Sequence, residues 1–232
     1  MSRMDVEYAG VENLDVMEHA LRYNRHIADL MSAQFRPQGT LLDFGAGRGT
    51  FSRLMRARGY RVDCLDIDAR YRDLLAAEGF ATHAGLEGVP DASLDGVYLL
   101  NVLEHIEHDV DALGTLRPKL RPGGRIFIYV PAFQLLYSSM DRAIGHHRRY
   151  TKQRLARALA AAGFAVSARR YHDSLGFLAA LLYKAVGDRG GRIDPAQIAF
   201  YDRVVFPVSR TLDAVVGAWF GKNVSAVGTR AS

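Results

Sequence analysis

Apolar residues between positions 12 and 33 recur at helical spacing, with Leu14, Met17, Leu21, Ile27, Leu30 and Met31 on one face, and Pro37-Gln38-Gly39 closes the segment. The period then changes. Thr40–Phe44 is a short apolar run that reads as a buried strand, and Gly45-Ala46-Gly47-Arg48-Gly49 turns it into a helix over about 50–58 that stops at Gly59. The same alternation repeats. A strand over 60–66 precedes a helix over 69–78, a weak strand covers 81–84, and a continuous apolar strand covers 94–100. A helix over about 110–120 ends at the breaker Arg121-Pro122-Gly123-Gly124, and 125–130 is the next strand. Strands that are apolar throughout and alternate with helices predict a parallel sheet covered on both faces, so the fold class is α/β.

Beyond Pro131 the rhythm loosens. Thr151 is placed to cap a helix over 152–162 that stops at Gly163, and Phe164–Tyr171 reads as a strand. Two apolar helical stretches, 175–187 and 195–218, flank the break at Gly190-Gly191, and Asn223–Gly228 closes as a short strand. The prediction is a terminal pair of strands with a helical insertion between them. No repeat or low-complexity linker divides the 232 residues, so they are expected to form a single domain: an N-terminal helical cap to 39, a core over 40–130, and acceptor-side loops, insertion and final strands over 131–232.

Composition narrows the classes. An apolar share of 49% is ample for a core, and no window reaches 18 uninterrupted apolar residues. The start, Met1-Ser2-Arg3-Met4-Asp5, lacks an apolar signal region, and one cysteine, Cys64, excludes an internal disulfide or a cysteine-based zinc site. A cytoplasmic, at most membrane-peripheral, location is expected. Charge is uneven: residues 1–139 hold 15 Lys+Arg against 19 Asp+Glu, whereas residues 140–232 hold 15 against 6. The basic final third suits an anionic acceptor or a lipid surface, and no RNA-binding or zinc-finger pattern appears, so no nucleic-acid partner is expected.

The glycine turn carries the chemistry. It follows a strand and opens a helix, the place where an open α/β sheet binds its ligand. A dinucleotide site would want glycine at 45, 47 and 50, but position 50 is Thr and the third glycine stands at 49. Asp66 ends the second strand, where a carboxylate can accept from both ribose hydroxyls. Together the turn and Asp66 point to a nucleoside cofactor.

Leu41–Ser52, Asp66, the stretch from Leu94 through Asn101-Val102-Leu103-Glu104-His105-Ile106, and Leu120–Arg125 resemble, in order and spacing, the motifs of class I S-adenosylmethionine-dependent methyltransferases. Tyr23-Asn24-Arg25, Val130–Phe133, Gly145-His146-His147-Arg148-Arg149-Tyr150 and Asn223–Gly228 further resemble a bacterial branch of small methyltransferases with a Gly-His-x-Arg-Arg-Tyr motif, in which Tyr is commoner at the position of His147. The resemblance implies a doubly wound, mostly parallel seven-stranded sheet with an antiparallel last strand, and S-adenosylmethionine as cofactor. It implies that Gly45, Ala46 and Gly47 pack against the methionine moiety, that Asp43 orients the turn or the cofactor ammonium, and that Asp66 and Ile67 hold ribose and adenine. Gly85, Leu86 and Glu87 would meet the adenine, Asn101 and Val102 would border the sulfonium, and Tyr23 and Arg25 would reach over the site.

Methyl transfer needs alignment above all, and a base only where the acceptor must lose a proton. His105, at the end of the fourth strand, is a candidate base or a pocket wall. His146 and His147 are further proton acceptors, Arg148, Arg149 and Tyr150 an acceptor clamp, and Phe133 and Tyr137 an apolar pocket wall. No metal is expected, because adjacent histidines in extended chain diverge and Asp141 is the one carboxylate beside them. The expected activity is methylation of O or N on a small, anionic or lipid-linked acceptor by a monomer or homodimer. Two rivals remain. An NAD-dependent oxidoreductase or epimerase would want a Tyr-x-x-x-Lys pair, which is missing; a non-catalytic membrane- or nucleic-acid-binding module would bind no S-adenosylmethionine.

Overall fold

The computed structural model describes residues 19–186 and 195–231. Helix α1 (Leu21–Ser32) leads into β1 (Thr40–Phe44), and α2 (Thr50–Arg56), β2 (Arg61–Leu65), α3 (Ala69–Ala77) and β3 (Ala81–His83) follow. Next come β4 (Leu94–Leu100), α4 (Asp109–Leu116), β5 (Leu120–Pro131), α5 (Ser139–Ala143), α6 (Lys152–Ala161) and β6 (Phe164–His172). The insertion consists of α7 (Ser174–Val186), α8 (Pro195–Phe200), a π-helical turn over Tyr201–Val205 and α9 (Phe206–Val216), and β7 (Asn223–Arg230) closes the chain.

The strands form one seven-stranded sheet in the order β3-β2-β1-β4-β5-β7-β6, with β7 antiparallel to both of its neighbours. This is the expected doubly wound sheet with an antiparallel final strand. Strand order reverses between β1 and β4, so their carboxyl ends border the crevice in which such sheets bind ligands. Leu41 and Leu42 are both fully buried, pointing into opposite layers, as a strand covered on two faces requires. One layer joins α4 and α6 to the sheet through Leu113, Leu116, Leu155 and Leu159; the other joins α1, α2 and α9 through Ile27, Met31, Met55 and Phe206.

Three boundaries depart from the sequence pattern. The helix expected to run to Leu120 ends at Leu116, and Arg121–Gly124 joins β5 instead. The ladder accommodates the extra residues by a register shift between Leu94 and Gly96, with Gly123 at φ 77°. The stretch expected as one helix over 195–218 is interrupted by the π turn, where Asp202 is turned inward. Of the helix expected over 12–33 only the part from Leu21 is seen, since residues before 19, like Gly190-Gly191, lie outside the described residues.

Buried aspartates staple the insertion to the sheet. Asp202 accepts from the backbone N–H groups of Arg22 (3.0 Å) and Tyr23 (2.8 Å), capping α1 from a distant part of the chain. Asp213 accepts in the same way from Asp173 (2.6 Å) and Ser174 (2.9 Å) at the start of α7. Asp173, at φ 64°, accepts from Gly176, Ser209 and Tyr201.

Candidate active site

The turn after β1 is held by β2. Gly45 and Ala46 donate to the Leu65 carbonyl (2.8 and 3.0 Å), and Gly47 donates to Asp66 Oδ2 (2.7 Å). The other oxygen of Asp66 accepts from Asp68 N–H (2.9 Å). The two sequence signals are thus one hydrogen-bonded unit. Gly45, Gly47 and Gly49 all have positive φ, and a Cβ at Gly45 would stand 2.6 Å from Val102 Cγ2. At Gly49 it would meet Leu75 Cδ2 of α3, so that glycine is there for helix packing. Asp43 is 4% exposed and accepts from Ser52 Oγ at 2.5 Å, which anchors the first turn of α2; burial pushes its carboxyl up to about 7.

The other residues expected to contact the cofactor stand after β2, β3 and β4 and on α1. Ile67, next to Asp66, is 91% exposed, an apolar side chain left on the surface at the mouth of the crevice. Gly85 is extended and Leu86–Gly88 forms a single 3₁₀ turn after β3. Asn101 leaves β4 at φ 53°, a conformation Asn tolerates, and its N–H is held by the Tyr129 carbonyl at 2.8 Å. Arg25 is exposed on α1. Tyr23 is buried, and its hydroxyl is already engaged by Tyr129 (3.1 Å) and Asn223 Nδ2 (3.0 Å).

The segment after β4 and the loop before α6 dock on one another. His147 N–H donates to the Glu104 carbonyl (2.8 Å), and the His105 and His146 rings meet edge to face at 4.6 Å. His146 Nδ1 lies 2.7 Å from Asp141 Oδ1, and Arg149 forks onto both oxygens of Asp141 (2.8 and 2.9 Å). Arg148 pairs with Asp109 (3.1 Å) and the Glu107 carbonyl (2.7 Å). Tyr150 is fully buried, donating to Asp109 (2.7 Å). Both guanidinium groups expected to clamp an acceptor are therefore already paired, and an anion reaching them would have to displace a carboxylate. His147 is exposed, whereas His146 faces inward. Tyr137 donates to the His146 carbonyl (2.6 Å), and Phe133, at φ 58°, stacks on Tyr171.

Protonation follows burial here. Desolvation lowers the His105 imidazole to about 4, aided by the neighbouring His146, so it is neutral at pH 7. Glu104 is fully buried, and burial raises its carboxyl to about 8. Asp141 moves the other way, held below the usual carboxylate range by His146 and Arg149 against its own burial.

A methyltransferase-domain family model matches residues 16–168. The chain belongs to this family. Among relatives, "Methyltransferase gedG" of Aspergillus terreus is 30% identical over 93 residues, 37% of this chain and 29% of that protein. A malonyl-[acyl-carrier protein] O-methyltransferase of Serratia marcescens is 38% identical over 96 residues, 39% of this chain and 37% of that protein. The matches thus span about a third of the length of these curated relatives. In structure the chain is similar to a SAM-dependent methyltransferase of Archaeoglobus fulgidus, with a TM-score of 0.60 at 20% identity over 88% of this chain and 92% of that one. That likeness concerns the fold. Glu104, in sequence only the neighbour of His105, comes within 3.8 Å of His146 Nε2 once the chain folds.

Proposed function

We propose that this chain transfers a methyl group from S-adenosylmethionine to O or N of a small, anionic or lipid-linked acceptor, and that residues 1–232 act as one such domain. One observation carries the reading: the Gly45–Gly47 turn is hydrogen-bonded to Asp66 at the sheet's switch point, with Ile67 exposed beside it. A side chain at Gly45 would fill the cradle in which a methionine moiety would rest. Asp66 would turn from the Gly47 N–H toward the ribose hydroxyls, and Ile67 with Gly85, Leu86 and Glu87 would face the adenine. Asn101 and Val102 would border the sulfonium, with Tyr23 and Arg25 on the α1 side. When bound, the cofactor would supply an electrophilic methyl group, and these residues would hold and orient it toward the acceptor. Where the acceptor is a hydroxyl or amine, its proton must leave as the new bond forms.

The relatives' names support the class and leave the acceptor open. Lipid linkage is favoured by Phe200, Val204, Val208, Leu212, Val215 and Trp219, a continuous exposed apolar stripe on the insertion with Arg203 and Arg210 beside it. Arg189 and Arg192, in the same basic final third, lie outside the described residues. Among the described residues no helix is long and apolar enough to cross a membrane, so such contact would be peripheral. Calorimetry with S-adenosylhomocysteine tests the core of the reading. Binding weakened at least tenfold by Asp66→Ala, about 1.4 kcal/mol, is expected; absence of binding to the parent chain overturns it.

A further inference from the structure

The histidines that come together in this fold are not neighbours in sequence. Glu104, His105 and His146 each present a ligand atom, all within 4.8 Å of one another. Glu104 contributes a fully buried carboxyl group whose oxygens find no partner on another residue; His146 Nε2 is 3.8 Å from Oε1, too far for a hydrogen bond. A buried polar group left so costs free energy unless something else satisfies it.

The outer partners are also in place. His146 Nδ1 is engaged by Asp141, which Arg149 in turn fixes, so Nε2 is the nitrogen left facing Glu104. A Cβ at Gly145 would stand 3.9 Å from His105 Nδ1, so the loop that carries His146 packs against the His105 ring. Imidazoles whose second nitrogen is held by a carboxylate or carbonyl are the usual arrangement at metal ions, where such partners set ring orientation. His105 is exposed, which leaves the cluster reachable from solvent.

We infer that Glu104, His105 and His146 form a binding site for one divalent first-row transition ion, with Asp141 as the positioning residue for His146. Two imidazoles and one carboxylate suit zinc, manganese or iron(II) rather than the all-oxygen cages of calcium and magnesium. Ligand bonds of about 2.0–2.2 Å require the three side chains to draw together by an ångström or less. Three protein ligands leave a coordination position open. That it receives an oxygen of the acceptor, a hydroxyl or carboxylate, rests on the methyl-transfer reading; the binding of the ion does not. His105, not His147, is the second imidazole, so the divergence of the adjacent His146 and His147 side chains does not bear on this site.

The test uses untagged full-length protein, stripped with chelator and titrated with Zn²⁺, Mn²⁺ and Co²⁺, with Mg²⁺ as comparison. One equivalent of Zn²⁺ or Co²⁺ per chain is expected, with visible Co²⁺ absorption. Glu104→Gln and His105→Gln should each weaken binding at least tenfold, Asp141→Asn about 10–100-fold, and His147→Gln should leave it unchanged. Glu104→Gln keeps the side chain's shape, and His105→Gln changes an exposed position, so at least one variant remains folded by circular dichroism. No stoichiometric uptake, or uptake that survives both substitutions, or equal loss in His147→Gln, overturns the site. S-adenosylhomocysteine binding, measured on the same stripped and loaded samples, reports on the methyl-transfer reading separately.

Discussion

A methyl group added at Gly45 would sit 2.6 Å from Val102 Cγ2 on a backbone with φ 80°, so two independent costs act on one atom. The left-handed conformation alone costs a side-chain-bearing residue roughly 1–2 kcal/mol. Gly45→Ala should therefore lower the melting temperature, and it should weaken S-adenosylhomocysteine binding more than tenfold because Val102 must move into the crevice. Calorimetry and thermal unfolding on one preparation check both. Two of the buried titratable groups act on stability with opposite signs as pH changes. Burial, with the charges of His26 and Arg170, drives His172 down to about 3 from 6.5, while burial drives Asp43 up to about 7 from 3.8. The His172 contribution is full above about pH 6.5 and is lost as the medium acidifies toward 3, because the unfolded chain takes up the proton first. Asp43 has the opposite sign: its contribution is full below about pH 4 and is lost as pH rises through about 7. In urea melts from pH 4 to 8, His172→Gln should flatten the acid loss, and Asp43→Asn should flatten the neutral-side loss. Unchanged curves in both variants would refute these burial assignments.

At the level of elements, the insertion does more than follow β6. The first turn of α1 takes its cap from Asp202, about 180 residues away, because Ala20 at the N-cap position has no side chain to offer. The π turn presents Asp202 on the inner face, and Phe206 one turn later packs against Tyr23 at 5.2 Å. Removing this acceptor by Asp202→Ala should cost about 0.5–2 kcal/mol, as loss of a helix cap does, and urea denaturation would register it. A cost near zero would mean that water replaces the carboxylate. Local signals found most of the rhythm: Gly59, Gly79 and Gly163 stop their helices, each with positive φ, and Thr151 caps α6 through the Arg154 N–H at 3.2 Å. They did not find the end of α4. Pro122-Gly123-Gly124 reads as a breaker, yet pairing with β4 draws it into β5, since a bulge can absorb what a helix cannot.

For the whole molecule, charge and apolar surface are distributed together. The final third is basic by 15 Lys+Arg against 6 Asp+Glu, and the exposed stripe from Phe200 to Trp219 lies in it. Binding to anionic vesicles that falls with salt is expected, and Val208→Asp with Val215→Asp should abolish it without disturbing the buried face of α9. Co-sedimentation with phosphatidylserine-containing vesicles checks this, and absence of binding by the parent chain would count against a lipid-linked acceptor.

The α/β class, the glycine turn after β1 and the acid that ends β2 were legible in sequence because each rests on local chemistry: continuous apolar strands, glycines where φ must be positive, and a carboxylate at a strand end; that the Gly47 N–H donates to Asp66 was decided by the fold. The partners of the loop before α6 were not legible. Arg148 and Arg149 read as free cations along the chain, and only folding brings Asp109 and Asp141 to them. Likewise Glu104 and His105 stand some 40 residues before His146, and the close approach of their side chains arises from the docking of one loop on another. Periodicity and turn chemistry act over a few residues, whereas the partners of a buried charge are chosen by packing across the whole sheet.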